Sequence, residues 1–237
     1  MRPGSLMLLC VATIVATQAE AQIPPQVIPT VPELGTPDFA MPESSNSASP
    51  SAGSSAPYSG TSGSTNAYST LMSQSYGAQA VAAAQAAGIN PDTLAAFGQI
   101  ESHFQNVGNG SSSAQGVWQI TNGTWDQYAS QLGLSNADRS DPAVQAQVAS
   151  AIISSYDNSV SSALGHPATS ADVYAAYMFG TGPGSQIAEE TNPNALLSQY
   201  VPASELAANN MSGWTVQQYM QTVSARMGSG ASETVKS

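Results

Sequence analysis

The sequence predicts an α+β domain that is predominantly α-helical and that follows a disordered N-terminal tether. From about residue 69 onward, apolar residues recur at helical spacing between helix-capping signals. Only residues 111–121 lack that pattern, and they are expected to supply a small β element. Before the helices, eight prolines between Pro24 and Pro57 and a run of Ser, Gly and Thr form a segment that buries too little apolar surface to fold.

The first two predicted helices have clear ends. An Ala-rich stretch over 69–87 is followed by Gly88, a residue typical of the position after a helix. Asn90 and Pro91 then have the residue types of an N-cap and a first helical position, and they open a helix over 90–104.

The later helices are predicted in the same way. A helix over 122–132 ends at Gly133, and Asp141 followed by Pro142 opens a long helix that runs to about residue 164. Thr169 and Asp172 have the spacing of a capping box before the next helix. A final helix over 216–227 has apolar residues at helical spacing.

Composition restricts the class of partner. Charged residues make up 8% of the 237 residues, far below the roughly 25% of an ordinary soluble domain, and 15 acids against 4 bases give a net charge of -11. A nucleic-acid partner is excluded because its phosphates need Lys and Arg. We expect a target that is held by neutral hydrogen bonds and stacking. The 41% of hydrophobic residues are enough for a sizeable core.

The N-terminus has the pattern of a secretory signal peptide over residues 1–21. Arg2 precedes a short apolar run over 6–16, and the small residues at 19–21 fit a cleavage site. The run is too short to span a bilayer, so the mature chain is expected to have no integral membrane segment. The only cysteine, Cys10, lies inside this segment. The alternative is a buried N-terminal helix, which the proline-rich continuation disfavours. The chain is expected to be exported to the periplasm or the extracellular space.

Four regions follow from these patterns. We expect the signal peptide, a disordered linker over 22–66, the helical domain over 67–228 and a flexible C-terminal tail over 229–237.

Glu101 is the candidate catalytic residue. It lies four residues after Phe97 and three before Phe104, so it shares the apolar face of the second predicted helix. It also falls in the last turn, where the helix dipole disfavours a negative charge. Burial and the dipole would both raise its pKa, as a general acid requires.

Several motifs in order carry a resemblance to a known family. Glu101-Ser102 ends a helix, Gly116-Val117-Trp118-Gln119 follows in the irregular segment, and Thr121 leads into the next helix. This order resembles the soluble lytic transglycosylase (SLT) family of the lysozyme superfamily, in particular its phage and proteobacterial subgroup. The resemblance spans residues 88–227. Two positions depart from the family pattern: Met178 follows Tyr177 where many members have Asn, and Ser113-Ala114 stands where many have Gly-Ala.

The resemblance implies a lysozyme-like fold and a secreted enzyme that acts on peptidoglycan glycan strands. It implies that Glu101 protonates the bond between N-acetylmuramic acid and N-acetylglucosamine and then acts as a base, giving a 1,6-anhydro sugar. Substrate-binding roles pass to Ser102, Gln119, Thr121 and Tyr177. No metal or cofactor is expected. A secretion, conjugation or phage apparatus that spans the cell envelope is a further expected partner.

Alternatives remain at the level of the sequence. Asp126 is the first acid after Glu101, and it is either a solvated helix charge or the second carboxylate of a muramidase that activates water. A third possibility is a non-catalytic glycan-binding or assembly module on the same fold. Trp118 is expected in the core, Ser102 is also expected to cap its helix locally, and His103 is expected at the surface.

Overall fold

The structure is a computed structural model that describes residues 56–110 and 112–237. The predicted signal peptide and residues 22–55 of the predicted linker lie outside the described residues. In the described part nine α-helices and two 3₁₀ turns follow one another along the chain: α1 Asn66–Met72, α2 Gly77–Ala86, α3 Pro91–Ser102, α4 Asn122–Gln131, α5 Pro142–Leu164, α6 Ser170–Phe179, α7 Thr181–Glu189, a 3₁₀ turn Leu197–Gln199, α8 Ala203–Ala208, α9 Val216–Met227 and a 3₁₀ turn Gly228–Ser232.

The predominantly α-helical prediction is confirmed. In the part of the chain that the structure describes, antiparallel pairing is confined to isolated bridges, two of which join Gln115 to Gly108 and to Ile120. The predicted β element around residues 111–121 is therefore a bridged loop between α3 and α4. The sheet does not grow because the loop supplies only single pairs of residues.

The predicted capping residues act as caps. The Asn90 side chain accepts from the Asp92 N–H at the start of α3, and the Asp141 side chain accepts from the Ala143 N–H at the start of α5. Thr169 and Asp172 form the predicted capping box at α6. Local side-chain chemistry thus sets where these helices begin.

The helices differ from the prediction in two regions where a glycine packs closely against main chain. The single helix predicted over 69–87 is divided into α1 and α2, because Gly77 packs so closely that a Cβ there would lie 2.2 Å from the Leu71 carbonyl oxygen. The glycine-rich residues 180–184 open α7, a helix that the sequence did not predict. Gly184 allows this, since a Cβ there would lie 2.3 Å from the Ala176 main chain on α6.

Helix α3 lies at the centre of the domain. It packs against α1, α2, α5, α6 and α9, and nine of its 12 residues are buried. Phe97 and Leu94 on α3, Trp118 in the loop that follows and Tyr219 on α9 are among the largest side chains with no solvent exposure. The helix that ends with Glu101 is therefore rigidly held on several sides.

Both ends of the described chain belong to the domain. At the N-terminal end the carboxylate of the buried Asp92 accepts from Gly63 N (2.6 Å), Thr65 N (3.1 Å) and Thr65 Oγ1 (2.6 Å). At the C-terminal end Val235 is buried and its main chain bonds to Ala168 and Asn90. The domain thus extends into residues predicted as linker (22–66) and as flexible tail (229–237). Composition could not show this, because main-chain hydrogen bonds to distant partners hold both segments.

No helix among residues 56–110 and 112–237 combines the length and the apolar character that crossing a membrane requires.

Candidate active site

The C-terminal end of α3 presents Glu101 in a sharply turned setting. The helix ends at Ser102, and His103 (φ 53°) and Phe104 (φ 63°) are both in the left-handed region. The chain therefore reverses, and the Phe104 ring returns to pack against Gly98, where a Cβ would lie 3.0 Å from it. His103 is exposed, as predicted. This turn keeps Glu101 on the inner side of the helix.

The Glu101 carboxyl is buried without a hydrogen-bonding partner. Both of its oxygens are shielded from solvent, and neither makes a hydrogen bond. Burial raises the pKa of Glu101 to about 8, although the Tyr174 hydroxyl and the Arg226 guanidinium each act to lower it. Tyr174 is therefore close to the carboxyl but outside good hydrogen-bonding geometry. A carboxyl with this pKa carries its proton at neutral pH.

Tyrosines surround this carboxyl. Tyr174 and Tyr177 on α6 stack at 6.2 Å with an interplanar angle of 16°, and both contact Phe97 edge-on at 5.4 and 5.1 Å. The Tyr219 hydroxyl on α9 is also buried and unpartnered. Burial first, and then the neighbouring Glu101 carboxylate, raises the pKa of all three phenols well above 10. An ionised Glu101 would thus face a mostly apolar, aromatic environment.

The loop after α3 brings Gln119 into the same region. Gly116 (φ 87°) and Gln119 (φ 44°) are both left-handed, and the loop doubles back between them. The Gln119 amide donates to the carbonyl oxygens of Gly116 (2.7 Å) and Val107 (3.0 Å). The side chain is therefore fixed by main chain on two sides, and its orientation is set before any ligand arrives.

A pocket lies beside the tyrosine cluster. It contains about 300 Å³ of empty space, including open solvent, and three of the five predicted site residues line it. Glu101 is not in the lining. The described lining residues include no acid; they are Gln119, Ile120, Thr121, Thr124, Ile152, Tyr156 and Tyr177. Tyr177 is common to the pocket and to the surroundings of Glu101, so it links the two.

Three of the residues singled out in the sequence have contacts that hold the site together. Ser102 Oγ donates to the Val117 carbonyl at 2.7 Å, which joins the end of α3 to the loop. The Tyr177 hydroxyl donates to the Trp118 carbonyl at 2.6 Å, so only its ring is left to face the pocket. Trp118 is in the core as predicted, and its indole N–H donates to Leu94 O at 3.0 Å.

Asp126 lies apart from this cluster. Its side chain is exposed on α4, next to Trp125, whose ring has the Arg139 guanidinium 5.3 Å above it. The surface placement agrees with the prediction of a solvated helix charge. Among the described residues, no group of three or more His, Cys, Asp or Glu side chains could hold a metal ion.

Several residues near the candidate site were not predicted from the sequence, because only the packing of the helices places them close to Glu101 or the pocket. Tyr174 shares the face of Tyr177 three positions away, which was a readable signal. Tyr156 on α5 and Tyr219 and Arg226 on α9 approach from helices remote in sequence, and no local pattern indicated them. The amide of Gln145, which holds the Gly116–Gln119 turn, gave no signal either.

Comparison with known families agrees with this geometry. Residues 79–196 match the family model described as the Transglycosylase SLT domain. The matched span runs from α2 to the residues before the first 3₁₀ turn, so it includes Glu101, Gln119 and Tyr177, whereas α9 lies beyond it. A comparison with curated proteins gave no match. The match supports the SLT, lysozyme-like family and a lysozyme-like domain; it does not address the phage and proteobacterial subgroup.

Proposed function

We propose that this SLT-domain chain is an exported lytic transglycosylase that cleaves the β-1,4 bond between N-acetylmuramic acid and N-acetylglucosamine in peptidoglycan, with Glu101 as its single acid and base. The observation that carries the proposal is the buried, unpartnered carboxyl at the end of α3, which keeps its proton at neutral pH. It lies inside the matched span, and Tyr177 borders both this carboxyl and the pocket.

In the first half of the proposed reaction, protonated Glu101 gives its proton to the oxygen of the scissile glycosidic bond. The bond from that oxygen to the anomeric carbon of the muramic acid breaks, and the leaving sugar departs with a hydroxyl group. The 2-acetamido group of the muramic acid stabilises the positive charge that develops on its ring, so no second protein carboxylate is needed.

In the second half, Glu101 is a carboxylate and takes the proton of the 6-hydroxyl of the same sugar. The 6-oxygen attacks the anomeric carbon and closes the 1,6-anhydro ring. Glu101 ends protonated, ready for another turnover. Burial favours that outcome, since it disfavours the ionised form between the two steps.

Access to the carboxyl requires a side-chain movement. The carboxyl oxygens are shielded from solvent and Glu101 does not line the pocket, whereas its neighbour Tyr177 does. We infer that a glycan bound against Gln119, Thr121 and Tyr177 displaces the Tyr177 ring or draws the Glu101 side chain towards the pocket. Catalytic contacts often tighten only when substrate is bound.

The location and the partner follow from the same proposal. Peptidoglycan lies outside the cytoplasmic membrane, so the chain must be exported, and the pattern of residues 1–21 would direct that export. The tether after it would give the domain reach towards the wall or towards an envelope-spanning apparatus. A pocket without charged lining residues, which offers Gln and Thr side chains beside aromatic and aliphatic ones, suits a sugar polymer recognised through hydroxyl and acetamido groups.

The alternatives make different predictions. A muramidase on the same fold would need a second acid, and Asp126 is the candidate although it is exposed on α4. A non-catalytic module would bind glycan without cleaving it. The lack of an acid among the described residues that line the pocket favours the transglycosylase.

Product analysis tests the proposal. The purified mature chain is incubated with peptidoglycan, and the soluble products are identified by mass spectrometry. We expect glycan ends that are 1,6-anhydro sugars, 18 mass units below the hydrated product because no water is added. Reducing ends in stoichiometric amounts would establish the hydrolase instead, and no release of fragments would establish the binding module.

A further inference from the structure

Gln145 on α5 is a buried polar residue whose amide faces the loop that follows Glu101. Its Oε1 accepts from Val117 N at 2.9 Å, and its Nε2 donates to Arg139 O at 2.8 Å and to Asn106 Oδ1 at 3.0 Å. Only 2% of the residue is exposed. Every hydrogen of this amide is therefore used, and none is available to a ligand.

The loop is built around this side chain. Gly116 has φ 87°, and a Cβ at that position would lie 2.4 Å from both Cδ and Oε1 of Gln145. The amide of Gln145 thus lies directly against the main chain of Gly116. A glycine is required there both by the backbone conformation and by the space.

The same turn contacts both parts of the candidate site. The carbonyl of Val117 accepts from Ser102 Oγ, next to Glu101, while its N–H is held by Gln145. The carbonyl of Gly116 accepts from the amide of Gln119, which lines the pocket. The Gly116–Gln119 turn is therefore held by Gln145 of α5, by Ser102 at the end of α3 and by the side chain of Gln119.

Gln119 needs this support. A non-glycine residue at φ 44° costs on the order of 1 kcal/mol and persists only when its surroundings hold it. Removing the Gln145 amide would leave Val117 N, Arg139 O and Asn106 without their partner, and the turn would lose its link to α5.

We propose that Gln145 is a positioning residue for glycan cleavage. It fixes the Gly116–Gln119 turn. Through that turn it holds Gln119 in the pocket, and it holds Ser102, and with it the neighbouring Glu101, in position at the end of α3. The inference rests on the proposed function, which it deepens. Gln145 touches no substrate in this arrangement, and its effect passes entirely through the turn.

A double-mutant cycle tests this in the full chain, with kcat and KM measured on a soluble peptidoglycan fragment. We expect Gln145→Ala to lower kcat/KM on the order of 10²-fold, as displacement of a positioned group by about 1 Å can. KM should rise, because Gln119 is displaced from the pocket. Partial unfolding alone would lower the apparent kcat and leave KM unchanged. Gln145→Asn keeps the amide on a chain one methylene shorter, so it should retain more activity than the alanine variant and carries the test if that variant does not fold.

A control variant on α5 and a double variant with Gln119 decide whether Gln145 acts through the turn. Gln147, exposed two residues further along α5, gives the matched control, and Gln147→Ala should stay within about two-fold of wild type. The double variant Gln145→Ala with Gln119→Ala should lose little more than the worse single variant, because the two residues act as a unit. Losses that multiply would show that Gln145 does not act through Gln119, and would overturn the inference.

A measurement without substrate separates this inference from the proposed function. Hydrogen exchange of the amides in residues 112–121 should accelerate in Gln145→Ala and not in Gln147→Ala. Unchanged exchange would overturn the inference even if the enzyme is active. A wild-type chain that cleaves no peptidoglycan would overturn the proposed function, and the exchange result would then still show whether Gln145 holds the turn.

Discussion

Replacing Glu101 by glutamine should abolish turnover and should stabilise the fold in a pH-dependent way. The amide keeps the shape of the protonated carboxyl but has no proton to transfer. Loss of general acid catalysis lowers rates by roughly 10²–10⁴-fold, so Glu101→Gln should lose at least that much peptidoglycan solubilisation.

The stability effect follows from the raised pKa. Below pH 4.5 the carboxyl is protonated in both the folded and the unfolded chain, so its pKa makes no difference to folding there. Between pH 4.5 and about 8 the unfolded chain ionises while the folded chain does not, and the wild type loses stability. At about 1.4 kcal/mol per pH unit this approaches roughly 5 kcal/mol above pH 8. The figure is an upper bound, because an ionised side chain can turn towards solvent.

Thermal melts at several pH values measure this difference. At about 2–4 °C per kcal/mol for a domain of this size, Glu101→Gln should melt close to wild type at pH 4 and roughly 10 °C above it at pH 9. The matched control is Asp126→Asn, an exposed acid whose loss should change turnover only a few-fold. A folded Glu101→Gln that still solubilises peptidoglycan at near wild-type rate would refute the mechanism. A difference in melting temperature between Glu101→Gln and wild type that does not change with pH would refute the conclusion that burial raises the pKa of Glu101.

Two further predictions concern the electrostatics of the site and the ends of the domain. Arg226 lowers the pKa of Glu101, so Arg226→Gln should raise that pKa and move the alkaline limb of the kcat/KM profile to higher pH. Arg226→Lys keeps the charge and should move the limb less. An unmoved limb would show that Tyr174, Tyr177 and Tyr219 alone set the electrostatic environment of the Glu101 carboxyl. Deleting residues 22–55 should leave the melting temperature within a few degrees of that of the mature chain, whereas deleting 22–66 should lower it clearly, since Asp92 then loses the donors from Gly63 and Thr65. Equal melting temperatures for the two deletions would show that these bonds contribute nothing.

Much of the helical framework could be predicted from local signals. Asn90, Asp141 and Thr169 cap their helices as their residue types and spacing indicate, because a cap involves only neighbours along the chain. The inward position of Glu101 is equally local, since it follows from helical spacing to Phe97. The prediction of one helix over 69–87 is wrong because Gly77 allows a close main-chain contact that divides it. Helix α7 was not predicted, and Gly184 allows a similar contact with α6. The presence of a glycine does not by itself say which main-chain contact it will allow.

The features of the candidate site also fall into those that local sequence indicated and those that depend on tertiary contacts. The sequence alone indicated Glu101 at the end of a helix, the loop that contains Gln119 and the helix that contains Tyr177. Each is a short segment with its own pattern. Only the tertiary structure decided that the Glu101 carboxyl is buried without a partner and that Tyr177 neighbours both this carboxyl and the pocket. It also decided that Arg226 and Tyr219 approach from α9 and that Gln145 holds the turn. Burial and electrostatic environment depend on the side chains that distant helices bring within a few ångströms, and no periodicity along one helix contains that information.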